Sequence, residues 1–427
     1  MKLLLQFILK LLARATLRKY HPRIIGVTGS VGKTSARQAV AAVLATTYAV
    51  WQSPKNLNNE FGLPLAILGE PDSAYANWWG WLMIIVRGLK NLLCRRPDYP
   101  EYLVLEYGID HPGDMAYLLS IAKPEMAILT AISPTHLEFM GSLESLVAEE
   151  GSLVTTLPRH GIAIINADDS LVYNLKAKIA AEIISYGFSA PAKVRADSAA
   201  ISLNNQAQPI GISFKLMIKG HSIPVIIKGT VGRPAILTAL ATAAVGQAVG
   251  LPLLKITAVL ANLPVPAGRM RLLDGVKHTT LIDDSYNSSP RALSAALAAL
   301  VQLPVGAAAR KWAVLGDMLE LGKDSEQFHF EAGQELAKLK IDYLVAIGVE
   351  ARQFIHGAVE AGFSANQAWH FDKSDSAAGF VKDRLRTGDV VLIKGSQGIR
   401  CEKITKELLA EPERAKELLV RQYKPWI

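Results

Sequence analysis

The alternation of apolar and polar positions begins close to the first residue. Ile24 and Ile25 form a short apolar run that passes through glycines 26, 29 and 32 into the helical stretch ARQAVAAVLA. That order predicts a strand, a tight loop and a helix. The same rhythm recurs in YLVLEYG (102–108) followed by MAYLLSIA, and in MAILTAI (126–132) followed by a helix through SLESLVAEEGSLVTTL. GIAIINADD (161–169) is likewise followed by SLVYNLKAKIAAEI. Strands alternating with helices predict an α/β domain with a largely parallel sheet. A β-rich patch from about residue 199 to 229 reads as short strands and turns, and an Ala-rich helix follows from about 234 to 249. LPVPAGR (263–269), with two prolines and a glycine, reads as a hinge. Beyond it TTLIDDSYN, KWAVLGDM, DYLVAIG and DVVLIKGS, each followed by helical sequence, predict a smaller doubly wound domain.

The first 23 residues differ from the rest. In MKLLLQFILKLLARATLRKY the polar residues Lys2, Gln6, Lys10, Arg14 and Arg18 recur every four positions, so they form one stripe on an otherwise apolar helix. The expected organisation is therefore a basic amphipathic helix at 1–23, a P-loop-like central domain at 24–263 with a mostly parallel sheet, and a smaller Rossmann-like C-terminal domain at 264–427. A chain of 427 residues is too long for one core, which suits this division.

The net charge of +8 changes the picture little, because no acidic residue occurs before Glu60 and the excess is largely N-terminal. Nucleic acid is not expected as a partner. Arg14, Arg18 and Lys19 interrupt what would be the cleavage region of a signal peptide, and the segment is too short and charged to span a bilayer. Attachment to a membrane surface and packing on the protein's own surface remain as alternatives. A second segment, NWWGWLMIIVRGLKNLLCRR (77–96), places three tryptophans beside an apolar run that ends in arginines, and reads either as an interfacial or as a buried helix. Two cysteines, Cys94 and Cys401, suit a reducing compartment. The expected location is the cytoplasm, extending to the inner face of the membrane.

The loop carries the chemistry. Gly29, Ser30, Val31, Gly32, Lys33, Thr34 and Ser35 offer backbone N–H groups, a helix N-terminus, a lysine for terminal phosphates and a hydroxyl for Mg²⁺. ATP is the expected guest. The pattern GxxxxGK[ST] is not strictly met, since Val27 stands where glycine is wanted and Gly26 lies one place early. Glu106 ends the run YLVLE, His136 follows the next predicted strand, and Glu150 lies in the helix after it. With Thr34 these supply oxygen and imidazole ligands for one or two Mg²⁺ ions at the carboxyl ends of strands.

These motifs, together with KNLNNEFGLPLAIL (55–68), LEYGIDHPGDMAYLLSIAKP (105–124), THLEFMGSLE (135–144), AGRM (267–270), LIDDSYNSSPRAL (281–293), AVLGDMLELG (313–322) and VLIKGSQGIR (391–400), resemble the Mur ligase family along nearly the whole chain from residue 24. The nearest branch is the one that adds D-alanyl-D-alanine to UDP-N-acetylmuramoyl-tripeptide. The resemblance implies an ATP-dependent amide ligase: a substrate carboxylate takes the γ-phosphate of ATP as an acyl phosphate, which an amine then attacks. It also implies that Lys33, Glu106, His136 and Arg269 are catalytic, that Thr34, Glu106 and His136 bind Mg²⁺, and that Asn58 and Asn59 lie near the centre. Arg269, Asp284 and Asn287 would meet the nucleotide from the C-terminal domain. Folylpolyglutamate or poly-γ-glutamate synthetase-like ligases share the core, and an ATP-binding, membrane-associated scaffold without ligase activity is the reading from another class.

Three departures from the family pattern stand out. Glu150, with Glu149 beside it, occupies the place of a lysine that most members carbamylate to bridge metal. Pro234, Ala235 and Thr238 replace a usual His-Asn pair and a later Asn. Members of the branch also carry an N-terminal domain that holds the UDP-sugar, where this sequence has the basic helix; the expectation is a lipid-linked or membrane-proximal acceptor, or a cytosolic ligase that delegates UDP recognition to a partner.

Overall fold

The computed structural model describes residues 2–53, 57–70, 78–94, 96–134 and 137–423. Two sheets organise them. The first has nine strands in the order β2-β3-β1-β4-β5-β6-β7-β8-β9, where β1 is Arg23–Thr28, β2 Val50–Gln52, β3 Tyr102–Glu106, β4 Met126–Leu129, β5 Ile162–Asn166, β6 Glu182–Gly187, β7 Val194–Leu203, β8 Pro209–Ile218 and β9 His221–Lys228. Pairings from β2 through β7 are parallel, and β8 and β9 close the sheet as an antiparallel hairpin. β1 lies between β3 and β4, so the loops leaving β1 diverge from those of its neighbours. A crevice opens at such a switch point, outside the carboxyl ends of the strands.

The strands carry Val, Ile and Leu on both sides because helices cover both faces. Among the helices are α1 (Lys2–Tyr20), α2 (Lys33–Leu44), α3 (Gly62–Leu68), α4 (Trp78–Leu93), α5 (Asp114–Ile121), α6 (Leu137–Met140), α7 (Leu143–Thr155), α8 (Ser170–Tyr173), α9 (Arg233–Ala248) and α10 (Leu253–Leu260). One face packs Ile25, Val27 and Ile128 against Val40 and Leu44 of α2 and Ile236 and Leu240 of α9. The other packs Leu103, Leu105 and Leu129 against Leu63 of α3, Leu118 of α5 and Leu153 of α7. Gly151 of α7 lets Leu175 approach closely, since a Cβ there would stand 2.8 Å from Leu175 Cδ1.

The second sheet has the order β10-β11-β15-β12-β13-β14, with β10 Arg271–Gly275, β11 Thr279–Asp284, β12 Lys311–Gly316, β13 Tyr343–Ile347, β14 Ala368–Phe371 and β15 Val390–Lys394. Only β10 runs antiparallel to its neighbour. Helix α11 (Pro290–Gln302) follows β11 and buries Leu293, Leu297 and Leu300 against that sheet.

One expectation is corrected. The helix expected through SLVYNLKAKIAAEI is short: α8 ends at Tyr173, a 3-10 turn covers Asn174–Lys178, and the chain enters β6 at Glu182. Ile183, Ile184 and Tyr186 fit a pleated strand beside β5 better than a helix.

Candidate active site

β1 delivers the chain into the phosphate loop, and the loop needs glycine for two reasons. Gly29 and Gly32 have φ of 128° and 91°, a region that disfavours a side chain. A Cβ on Gly29 would also stand 2.1 Å from Thr130 Oγ1. Thr130, after β4, donates to the Val31 carbonyl at 2.6 Å, and the Ser30 amide donates to the Ala131 carbonyl at 2.7 Å. The loop is thus held from the neighbouring strand. Lys33 opens α2 and donates from Nζ to the Gly29 carbonyl.

Glu106, buried at the end of β3, is the centre of a polar cluster. Thr34 Oγ1 donates to its carboxylate at 3.2 Å, Asn58 Nδ2 at 3.2 Å and Arg37 Nε at 3.2 Å. Arg37 was missed in the sequence, although it stands one turn beyond Lys33 and so faces the same side of α2. It also donates to Gln52 Oε1 at 3.3 Å. Burial pulls its pKa below the ordinary value, and the Glu106 carboxylate opposes that. Asn59 lines the cavity as well, while its Oδ1 accepts from the Gly62 amide at 2.9 Å and fixes the start of α3.

The second lobe reaches into the same place. Arg269 Nη2 donates to Thr34 Oγ1 at 3.4 Å, and its guanidinium lies 4.1 Å from the centre of the Tyr286 ring. Asp284 accepts from Lys394 Nζ at 2.6 Å and from the Met270 amide at 3.1 Å, which ties β11, β15 and the hinge together. Lys394 also donates to the Asn287 carbonyl at 2.9 Å. Arg291, on α11, pairs with Asp169, whose other bonds fix the start of α8 and the Ile132 amide. Lys394, Tyr286, Arg291 and Asp169 were legible as members of quoted stretches but not as partners.

A cavity of about 950 Å³ results, lined by the phosphate loop, Thr34, Ser35, Asn58, Glu106, Arg269 and Asp284, with Asn287 among the residues from the second lobe. Pro234, Ala235 and Thr238 line it too, so the wall where the family pattern departs is mostly apolar. Glu150 is buried in α7 behind the phosphate loop and does not line the cavity; its Oε1 accepts from Ser30 Oγ at 3.1 Å. Glu149 turns the other way, accepting from the Gly113 and Met115 amides at 3.0 and 2.7 Å at the start of α5. His136 lies outside the described residues. Among the described residues no three His, Cys, Asp or Glu side chains converge on one point; the hard oxygen donors that meet are those of Thr34 and Glu106.

Residues 87–246 match the model of the Mur ligase middle domain, and residues 268–397 that of the Mur ligase glutamate ligase domain. The UDP-N-acetylmuramoyl-tripeptide–D-alanyl-D-alanine ligase of Escherichia coli (strain K12) is 30% identical over 390 residues, spanning 90% of this chain and 76% of that protein. The chain belongs to the Mur ligase family. The enzyme of the same name from Bacillus subtilis (strain 168) is 28% identical over 404 residues, 95% of this chain and 79% of that one. Among solved structures, MurF ligase from Thermotoga maritima in complex with ADP is similar to this Mur ligase with a TM-score of 0.77 and 25% identity, over 96% of this chain and 84% of that one. The likeness spans both lobes.

Proposed function

We propose that this Mur ligase uses ATP and Mg²⁺ to join D-alanyl-D-alanine to a carboxylate of the UDP-N-acetylmuramoyl-tripeptide class; the names of its relatives give that dipeptide and that tripeptide for them. The observation that carries the reading is the Arg269 to Thr34 contact, which brings the second lobe onto the phosphate loop within one cavity. The division between lobes falls at 263/264, at the start of the hinge.

The amides of Ser30 to Lys33 and the N-terminus of α2 hold the β- and γ-phosphates. Lys33 exchanges the Gly29 carbonyl for a γ-phosphate oxygen. Thr34 and Glu106, two oxygen donors in contact, fit Mg²⁺, with His136 assigned to a second ion. Mg²⁺ bound there offsets charge on the phosphates. Arg269 stabilises the charge that develops as a carboxylate oxygen attacks the γ-phosphorus and ADP departs. Asp284 and Asn287 contact the nucleotide from the second lobe. The dipeptide amine then attacks the acyl carbon, loses a proton, and inorganic phosphate leaves. Enclosure between the lobes keeps water from the acyl phosphate. Glu150 supplies a carboxylate where most of the family carbamylates a lysine, and acts through Ser30. Use of ATP supports a reaction in the cytoplasm, and the exposed apolar side chains of α1 and α4 support action at the inner face of the membrane, with the UDP-linked acceptor met near that surface.

Phosphate release tests the proposal. It is expected only when the UDP-linked tripeptide and D-alanyl-D-alanine are both present, with a mass-spectrometric product heavier by the dipeptide less water. Arg269→Ala is expected to lower kcat/KM by about 10²–10³-fold. Phosphate release that ignores both substrates would instead identify a nucleotide-binding scaffold.

A further inference from the structure

Helix α1 buries only part of its apolar surface. Polar residues take part of its contact with the body: Gln6 donates to Glu60 at 3.3 Å, Lys10 donates to Ser120 Oγ at 2.6 Å beside the Tyr117 ring, and Lys2, 71% exposed, reaches Glu60 at 3.4 Å. Leu9, Leu12 and Ala13 are buried beneath. The face left to solvent is apolar, with Leu3, Leu4, Phe7 and Leu11 48–80% exposed.

α4 lies alongside. Leu12 packs where Gly88 leaves no side chain, and Lys19 Nζ donates to the carbonyls of Asn91, Leu92 and Cys94, so the two helices run in the same direction. They share a small core that includes Leu9, Leu12, Leu65 and Ile84. α4 also turns an apolar ridge outward: Trp79, Leu82, Met83, Val86, Leu89 and Leu93 are 41–87% exposed. Ten of the nineteen exposed large apolar side chains among the described residues lie on these two helices. A concentration of this kind marks an interaction surface.

Charge indicates the occupant. α1 and α4 carry basic residues and no acidic one; Arg18 and Lys90 are exposed beside the apolar ridges, while Arg87, also exposed, pairs with Glu70 at 3.0 Å. Apolar ridges flanked by cations fit the boundary between acyl chains and anionic headgroups. Among the described residues no helix is long and apolar enough to cross a membrane. We propose that α1 and α4 together form a docking face for a bilayer containing anionic lipid, with the Leu, Phe and Trp ridges inserted shallowly and the cations at the headgroups. The proposal rests on the membrane-proximal reading above and names the surface responsible.

The test is sedimentation of the full chain with phosphatidylcholine vesicles, with and without phosphatidylglycerol. Wild type is expected to pellet with the anionic vesicles and to remain partly bound in high salt, because insertion is apolar. Phe7→Asp with Val86→Asp is expected to weaken partitioning by at least about tenfold, with circular dichroism and ATP affinity unchanged. Leu11→Gln with Leu82→Gln, a milder pair, is expected to weaken it in the same direction. Three results would each overturn the proposal. Wild type stays in the supernatant with both vesicle types; folded variants pellet like wild type; or gel filtration shows a wild-type dimer that the variants dissolve, without vesicle binding, so that a second copy covers the face. Vesicle binding requires no nucleotide or acceptor, so its failure leaves the ligase reading intact, and failed phosphate release leaves this one intact.

Discussion

Replacing Arg37 with methionine isolates the most buried charge pair at the site. The guanidinium is 2% exposed, Glu106 beside it 3%, and Arg37 Nε donates to Glu106 Oε2 at 3.2 Å. Methionine roughly fills the aliphatic part of the arginine and removes the cation. Stranding a buried carboxylate in this way costs about 3–5 kcal/mol. Two features set the expectation at the lower end. Thr34 and Asn58 continue to donate to Glu106, and the desolvation that depresses the Arg37 pKa disappears with the side chain. A loss of about 3 kcal/mol is expected, a large share of the stability of an ordinary domain. Urea unfolding without Mg²⁺ measures it. Arg37→Lys, which keeps the charge but not the fork, is expected to fall between wild type and Arg37→Met. A divalent cation beside Glu106 would replace the missing charge, so Mg²⁺ with ATP is expected to stabilise Arg37→Met more than wild type. An Arg37→Met protein within about 0.5 kcal/mol of wild type in the absence of Mg²⁺ would refute the argument.

Two further outcomes follow from buried carboxylates. Activity is expected to be indifferent to bicarbonate, and Glu150→Ala to lose about 10–100-fold in kcat as Ser30 loses its acceptor; full turnover by that variant would remove Glu150 from the site. Asp283, at the hinge side of β11, is pushed by burial from 3.8 up to about 6, against bonds from Ser285, Thr405 and the Gly268 amide. The folded chain therefore holds this proton more tightly than the unfolded one, so the contribution of Asp283 is most favourable below about pH 4 and is lost as pH rises through about 6. The change is about 3 kcal/mol, and the wild-type minus Asp283→Asn difference in unfolding free energy should shift by that amount between acid and neutral pH. A constant difference would show that the three donors cancel the burial.

Much of the chemistry was legible because it depends on near neighbours. Gly29 and Gly32 bend the loop, Lys33 and Thr34 follow on the first turn of α2, and apolar runs announce the main strands. The missed elements were those with weak local signals. β2 is three residues long and β14 four, and β6 was hidden in a stretch that reads as helix until its pairing with β5 is known. Arg37 was overlooked for a similar reason, since only its partner Glu106, 69 residues away, gives it a role.

The amino-acid order thus determined the phosphate cradle, the succession of strands and helices and the basic amphipathic character of α1, all properties set within a few residues. The fold decided which of these meet. The order β3-β1-β4 places Glu106 beside Thr34, 72 positions away, and closure of the lobes brings Arg269 to the same hydroxyl across 235 positions. Packing on α3 and α5 also drew Gln6 and Lys10 of α1 inward, leaving Leu3, Leu4, Phe7 and Leu11 outside. Periodicity specifies that a helix has two faces; only the groups that the rest of the chain offers decide which face is covered.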